Sequence, residues 1–327
     1  MLLERGWKRF PQESTMAIGF FDGFHRGHRR VLAEALARSS PEAPLCVVTF
    51  YPHPQTVLLP REGVKYLTLY SEKYLLLERF FPGTFLYFLR FNRALRETAP
   101  LDFLNAVVEH FHPRTICVGE NFRFGFERRG DSALLRDFFV PRGTEVVVVP
   151  SYRVRGEVVS SSRIREHLLD GRLTQANELL GFPFTVIGRV RRGRRIGRSL
   201  GFPTLNLHPP LRKLLPPPGV YTGRVSWENL GETSWNALIY TGSRPTFHDT
   251  RRRVVEVFVP SSPFPELYGQ RVYVTFEEFV REEMVFSSEE ALKRQIQKDL
   301  EVFFRKASAG LSAPESLHRG FGGNLSI

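Results

Sequence analysis

The sequence predicts two folded parts in tandem: an α/β domain with a parallel sheet, then a small antiparallel β-barrel with a closing helix. Three observations carry this. At 327 residues the chain has room for two domains. Its first half alternates short apolar runs with amphipathic helical segments, as a buried parallel sheet requires. From Phe184 the pattern changes to short β-rich segments divided by Gly and Pro, the signature of a small barrel.

The first strand is Met16–Phe21, followed by a Gly/His loop and a helix over Arg29–Arg38 that sets Val31, Leu32, Ala35 and Leu36 on one face. Leu45–Phe50 is the second strand, ended by Pro52 and Pro54. A helix near Ser71–Phe80, a strand at Thr84–Arg90, a helix at Leu101–Phe111, a strand at Thr115–Val118 and a helix at Ser132–Phe139 follow. Glu145–Val149 reads as a fully apolar strand. Helices at Ser162–Leu169 and Leu173–Leu180 are divided by Asp170-Gly171. The barrel strands are Thr185–Val190, Gly219–Trp227, Ser234–Tyr240, Arg252–Val259 and Arg271–Val280, and Ser288–Phe304 is the closing helix, capped by its serines. Gly181-Phe182-Pro183 marks the boundary. The expected parts are residues 1–181, 182–306 and a loose Gly/Ser-rich tail at 307–327.

Hydrophobic residues at 42% and charged residues at 24% exclude disordered and collagen-like classes. No apolar run approaches the ~18 residues of a membrane span. The basic opening segment lacks the apolar core of a secretory signal. Cys46 and Cys117 sit in strand-like runs, where buried free thiols are expected and no disulfide framework exists. The reading is a soluble, cytoplasmic protein. A net charge of +12 favours anionic partners: nucleic acid, a membrane surface or phosphorylated small molecules.

The segment Gly19-Phe20-Phe21-Asp22-Gly23-Phe24-His25-Arg26-Gly27-His28 joins the first strand to the first helix. Its glycines let backbone approach a ligand, and the helix N-terminus offers free N–H groups to an anion. His25 and His28, three apart, can face one phosphate. A solvated loop or half a metal site are the other readings, with His53 as a possible further ligand. HRGH matches the HxGH signature of nucleotidylyltransferases, and the whole segment resembles the opening motif of bacterial bifunctional riboflavin kinase/FAD synthetases. Phe50-Tyr51-Pro52-His53-Pro54, Gly119-Glu120-Asn121-Phe122-Arg123-Phe124-Gly125 and Val159-Ser160-Ser161-Ser162-Arg163-Ile164-Arg165 are similar to further motifs of that family, in its order.

The resemblance implies a Rossmann-like nucleotidylyltransferase domain that adenylylates FMN. Gly19, Phe20, Asp22, Gly23, Ser160, Ser161 and Ser162 are then the expected nucleotide contacts, and His25, His28 and Arg165 the catalytic groups acting on phosphates and pyrophosphate. His53, Asn121, Phe122 and Phe124 are the expected flavin contacts. Read alone, Phe122 and Phe124 are ordinary core residues, and the serines an ordinary helix cap.

Gly188–Arg198 carries six arginines among regular glycines, Gly193 and Gly197 included, followed by Gly201-Phe202-Pro203-Thr204-Leu205-Asn206. The arginines alone read as a solvated face or nucleic-acid patch; the glycines suggest a loop folded over an anion. The second segment resembles the G-F-P-T-A-N signature of riboflavin kinases, with Leu205 where Ala is usual. Pro218-Gly219-Val220-Tyr221, Ser243-Arg244-Pro245-Thr246-Phe247 and Arg281 through Asp299 are similar to later motifs of that module. The resemblance implies Thr204 and Asn206 as Mg²⁺ ligands, Glu256 as general base, Gly193, Gly197 and Gly201 at the nucleotide, and Arg281 at the flavin or its phosphate. Phe258 stands where the family usually has His, and Pro260–Pro263 where it continues a strand.

The expected function is FAD synthesis from riboflavin through FMN, with ATP and Mg²⁺ at both steps and no nucleic acid or membrane partner. An FAD synthetase with a non-catalytic barrel is the alternative.

Overall fold

The computed structural model describes residues 3–53, 64–193, 197, 200–227, 234–243, 253–260 and 266–310. The chain divides into two compact units, Met1–Ser161 and Ser162–Ile327.

The first unit is a six-stranded parallel sheet. Its strands are β1 (Leu3–Arg5), β2 (Ser14–Ile18), β3 (Leu45–Tyr51), β4 (Phe85–Arg90), β5 (Pro113–Gly119) and β6 (Glu145–Val149). Their spatial order is β1-β4-β3-β2-β5-β6. Helices α1 (Arg26–Leu36), α2 (Tyr70–Phe80), α3 (Arg93–Glu97), α4 (Pro100–Phe111) and α5 (Ser132–Phe139) lie between them, and a two-residue hairpin, β7 (Arg153–Val154) with β8 (Glu157–Val158), follows β6.

Strand order reverses at β2, whose neighbours are β3 on one side and β5 on the other. Open α/β sheets bind ligands beyond the carboxyl ends of strands at such a reversal. Every residue of β2 is buried. Around it Met16, Cys46, Tyr87, Phe103, Phe111, Ile116 and Phe139 form the core. Rings interlock there edge to face, as Tyr87 with Phe111 at 5.2 Å and 90°. Both cysteines are free and buried, and burial raises both thiols.

The expected boundaries shift for physical reasons. The first strand stops at Ile18 rather than Phe21, because the backbone turns there: Phe21 and Phe24 take positive φ. The first helix begins at Arg26, three residues early, because His25 caps it. Glu145–Val149 is a strand but an edge one, with Glu145 exposed and only Val149 buried. Strand β1, helix α3 and the β7–β8 hairpin are additions; each is five residues or fewer, too short for a periodic signal.

The second unit opens with α6 (Ser161–Leu169, whose first residue closes the first unit) and α7 (Leu173–Leu180). Composition places the boundary at Gly181, but α7 is tied to the barrel. Asn177 donates to the Phe276 carbonyl at 3.0 Å and accepts from the Phe184 amide at 2.7 Å.

The antiparallel strands are β9 (Phe184–Arg189), β10 (Thr204–Leu207), β11 (Gly219–Trp227), β12 (Ser234–Ser243), β13 (Arg253–Phe258) and β14 (Arg271–Glu282), in the order β10-β13-β12-β11-β14-β9. A bridge between Arg191 and Asn206 brings the two edges together, so the sheet closes on itself. Helix α8 (Glu289–Gly310) runs six residues past the expected end and starts where Ser288 caps the Ala291 amide. The expectations for Pro54, Arg194–Ile196, Arg198, Arg244–Phe247, Ser261–Pro263 and the tail at 311–327 lie outside the described residues.

Candidate active sites

The first site forms where β2 runs into α1. His25 is the N-cap: its Nδ1 accepts from the His28 amide at 3.2 Å. That bond fixes the His25 proton on Nε2, leaving Nε2–H as a donor. The two imidazoles stack with centroids 3.5 Å apart and 17° between planes. Gly27 lies between them under the His25 ring, where a Cβ would make a tight contact of 3.3 Å.

Burial pushes His25 down to about 3, with Asp22 pulling the other way and Arg29 adding to the fall. Burial also holds His28 well below the ordinary histidine value, with His25 and Lys73 adding to it. Both rings are therefore neutral at pH 7, and a neutral ring can donate to a phosphate oxygen. Among the described residues His28 Nδ1 is buried with no hydrogen-bond partner, a state that ordinarily costs free energy.

The turn before the histidines is braced from several sides. The Asp22 carboxylate is buried and accepts from the Leu67 amide at 3.2 Å, the Thr68 amide at 2.9 Å and the Thr68 hydroxyl at 3.1 Å. Expected at the nucleotide, Asp22 is turned here toward its own protein and holds the loop before α2. Gly23, at φ +87°, donates its amide to Thr68 Oγ1. Only glycine takes that conformation without strain. The Phe21 ring lies over Gly19, where a Cβ would be 3.0 Å away. Ser161 donates its hydroxyl to the Asp22 carbonyl at 2.7 Å, so the serine motif reaches the first motif directly.

Phe20 meets His53 at 3.9 Å, and His53 stacks on Tyr66 at 5.7 Å. Phe122 and Phe124 stack at 5.6 Å and 23°, on one side of the chain as their alternation predicts. Phe124 is 6% exposed, lies against Phe103 and belongs to the core; Phe122 is half-buried. Asn121 is exposed and donates to Ser151 Oγ at 3.2 Å. Ser160 is half-buried and Ser162 exposed, and Arg165 lies one turn into α6, half-buried, in the second unit.

Sequence reasoning missed Lys73, Thr68 and Tyr66. The available signal for Lys73 was a charged residue on the buried stripe of α2, three and four residues before Leu76 and Leu77.

The second site is assembled by sheet register. Asn206 of β10 pairs directly with Glu256 of β13, and Thr204 with Phe258. Paired residues share a face, so Thr204, Asn206, Glu256 and Phe258 line one side of the sheet. The other side carries Leu207, Val255 and Val257, all core. Leu205 belongs with those, paired to Val257. It points away from the presumed metal ligands, so its bulk does not crowd them. Phe258 does share their face and packs edge to face on Phe202 at 5.5 Å.

Asn206 Nδ2 donates to the Thr204 hydroxyl at 3.3 Å and to the Thr204 carbonyl at 3.1 Å. Asn206 Oδ1 and the Thr204 hydroxyl oxygen, in register beside the Glu256 carboxylate, are hard donors of the kind that suits Mg²⁺, which takes few protein ligands and completes its shell with water and phosphate. Gly193 makes room: a Cβ there would come within 2.5 Å of Asn206 Oδ1. Gly197 is equally confined, with the Phe202 carbonyl 2.3 Å from its notional Cβ, and Gly201 takes φ +88°. The three glycines are thus required by close approach or positive φ.

Arg281 forks onto Asp299, Nε to Oδ1 and Nη2 to Oδ2, both at 2.8 Å. Gln295 donates to Asp299 Oδ1 at 2.9 Å. The last motif is therefore one hydrogen-bonded lock between β14 and α8.

Two family models match the chain. The FAD synthetase family model matches residues 8–163, and the riboflavin kinase family model residues 180–306. A bifunctional riboflavin kinase/FMN adenylyltransferase of Listeria monocytogenes is 32% identical over 87% of this chain and 90% of its own. The Escherichia coli K12 protein of the same name is 33% identical over 88% and 91%, and that of Pseudomonas fluorescens 33% over 98% and 100%. A solved Streptococcus pneumoniae chain named as a macrolide-efflux protein has a TM-score of 0.80 at 27% identity, covering 93% of this chain and 99% of its own. From that likeness only the architecture is carried over. Among the described residues no helix is long and apolar enough to cross a membrane.

Proposed function

The chain belongs to the bifunctional riboflavin kinase/FMN adenylyltransferase family, and we propose that it makes FAD from riboflavin in two ATP-dependent steps. Residues 1–181 carry adenylyl transfer and residues 182–306 phosphorylation.

In adenylyl transfer an FMN phosphate oxygen attacks the α-phosphorus of ATP. The new P–O bond forms as the bond to the β-phosphate oxygen breaks, and pyrophosphate leaves. Both reactants are anionic, so the protein's work is positioning and charge stabilisation. His25 and His28 donate to phosphate oxygens at the head of α1, whose free N–H groups add to the field. Ser160, Ser161 and Ser162 line the nucleotide and Arg165 holds the departing pyrophosphate. His53, Asn121 and Phe122 face the flavin, with Phe124 supporting Phe122 from behind.

In phosphorylation Glu256 takes the proton of the riboflavin 5′-hydroxyl as that oxygen attacks the γ-phosphorus, and ADP leaves. Thr204 and Asn206 are the residues that would hold Mg²⁺, which when bound neutralises phosphate charge. Gly193, Gly197 and Gly201 let backbone close on the phosphates, and Arg281, aimed by Asp299, meets the flavin or its new phosphate.

The observation that carries the reading is the stack of two imidazoles at the α1 entrance, one with a buried nitrogen that has no hydrogen-bond partner among the described residues. The net charge of +12 then serves ATP and flavin phosphates, with no polynucleotide required. Two unpaired thiols suit a reducing cytoplasm.

The test is a product assay. Purified protein is incubated with ATP and Mg²⁺ plus either riboflavin or FMN, and the flavins are separated by chromatography. FMN and FAD from riboflavin are expected. FAD from FMN, with nothing from riboflavin, would leave a non-catalytic barrel.

A further inference from the structure

Lys73 lies in the first turn of α2, 4% exposed, with its ammonium carried into the protein beneath the Phe20–Phe21 turn. An ammonium out of water is costly unless its protons find partners. Lys73 Nζ donates to the Phe20 carbonyl, reaches Thr49 Oγ1 at 3.5 Å, and sits 3.5 Å from the centre of the Phe20 ring. Thr49 donates to the same Phe20 carbonyl at 3.0 Å. One carbonyl thus takes two donors from two elements.

That carbonyl is the hinge of the first site. The next residue, Phe21, is held at φ +52°, a left-handed conformation that strains a non-glycine residue. Its ring covers Gly19 and meets the His28 ring edge-on at 5.4 Å and 88°. The Phe20 ring meets His53. A shift at the Phe20 carbonyl therefore moves both rings that touch the site's imidazoles. The charge is felt as well. Among the described residues, the charges that act on the histidine pair are Asp22 before α1, Arg29 in α1 and Lys73 from α2; Lys73 adds to the low proton affinity of His28.

We infer that Lys73 is a positioning residue for adenylyl transfer, clamping the Phe20–Phe21 turn so that the His28 ring keeps its place. This rests on the adenylyl-transfer reading above, and the experiment separates the two. In the full chain, Lys73→Met, Lys73→Gln and Lys73→Arg are compared with wild type. FAD formation from FMN is measured as kcat and KM separately, FMN formation from riboflavin serves as the folding control, and the His28 C2–H resonance is titrated by NMR.

Lys73→Met is expected to lower kcat for FAD formation about a hundredfold, as a displaced reacting group does. Phosphorylation should stay within about twofold and the His28 titration should move to higher pH. Lys73→Arg should restore the titration and part of kcat. Lys73→Gln, which keeps a donor without the charge, should show the titration shift and is the deciding variant if the Met variant fails to fold. Lys73→Met or Lys73→Gln with wild-type kcat and an unmoved His28 titration would overturn the inference. If wild-type protein made no FAD, the function reading would fall, and the NMR titration would still decide the clamp.

Discussion

The imidazoles of His25 and His28 stack face to face, 3.5 Å apart, with His25 Nδ1 capping the His28 amide. Three-residue spacing allows such contact; the cap makes it definite. His28→Ala removes one donor and leaves the His25 cap in place, because the cap uses backbone. FAD formation from FMN should fall by at least about a hundredfold, the scale of losing one donor to a developing charge. FMN formation should be unchanged. Equal loss of both activities in the paired assay would contradict separate sites.

The same pair sets a pH dependence of stability. Burial depresses His25 to about 3 in the folded chain, whereas an unfolded histidine titrates near 6.5. Below pH ~6.5 the unfolded state takes up the proton and the folded state does not. Stability is therefore full above that pH and is lost progressively toward pH 3. Between pH 6.5 and 5 the His25 share of the loss is about 2 kcal/mol. Urea unfolding of wild type and His25→Gln at pH 7 and pH 5 checks this: the drop should be smaller in the variant. Equal drops would mean that His25 is not the group responsible.

Glu256 pairs with Asn206 across β13 and β10, so base and metal ligand share one face by register. Glu256→Gln keeps the size and removes the proton acceptor. Riboflavin phosphorylation should fall by about a hundredfold or more, with FAD formation from supplied FMN intact. An unchanged phosphorylation rate would refute the role.

How far these relationships were legible follows from their range in the chain. His25, Gly27 and His28 are neighbours, and their chemistry can be read from spacing and the strand–helix context. Lys73 and the Phe20 carbonyl are 53 residues apart, so only the fold brings them together. Asp22 was recognised as a motif residue, but its turn toward Thr68 depends on a loop 46 residues away. Leu205 adjoins both Thr204 and Asn206 in sequence, yet the pleat sends it to the other face with Val257. Arg281, Gln295 and Asp299 were each visible, while their mutual bonding required β14 and α8 in place.

That lock makes a stability prediction. Arg281 and Asp299 side chains are 19% and 5% exposed, so the fork is largely shielded from water. Asp299→Asn leaves the guanidinium without its charge partner and breaks one arm of the fork. Breaking such a pair costs about 3 kcal/mol or more. Denaturant unfolding followed by a probe in the second unit should show that loss; a change below about 1 kcal/mol would mean the lock is not structural.

Gly193 offers the sharpest test of the metal reading, because its effect is steric and its target is one side chain. A Cβ at 193 would lie 2.5 Å from Asn206 Oδ1 and 2.6 Å from both Asn206 Cγ and Nδ2. No real Cβ contact is that short, so in Gly193→Ala either the loop or the amide must move. Asn206 also accepts the Arg191 amide through its carbonyl at 2.8 Å, which resists movement of the strand and directs the displacement to the side chain. If that side chain holds Mg²⁺, the half-saturating Mg²⁺ concentration for riboflavin phosphorylation should rise about tenfold or more. FAD formation from FMN should keep its own Mg²⁺ dependence. An unchanged Mg²⁺ titration of phosphorylation would remove Asn206 from the metal site, leaving Thr204 and the substrate phosphates to hold the ion.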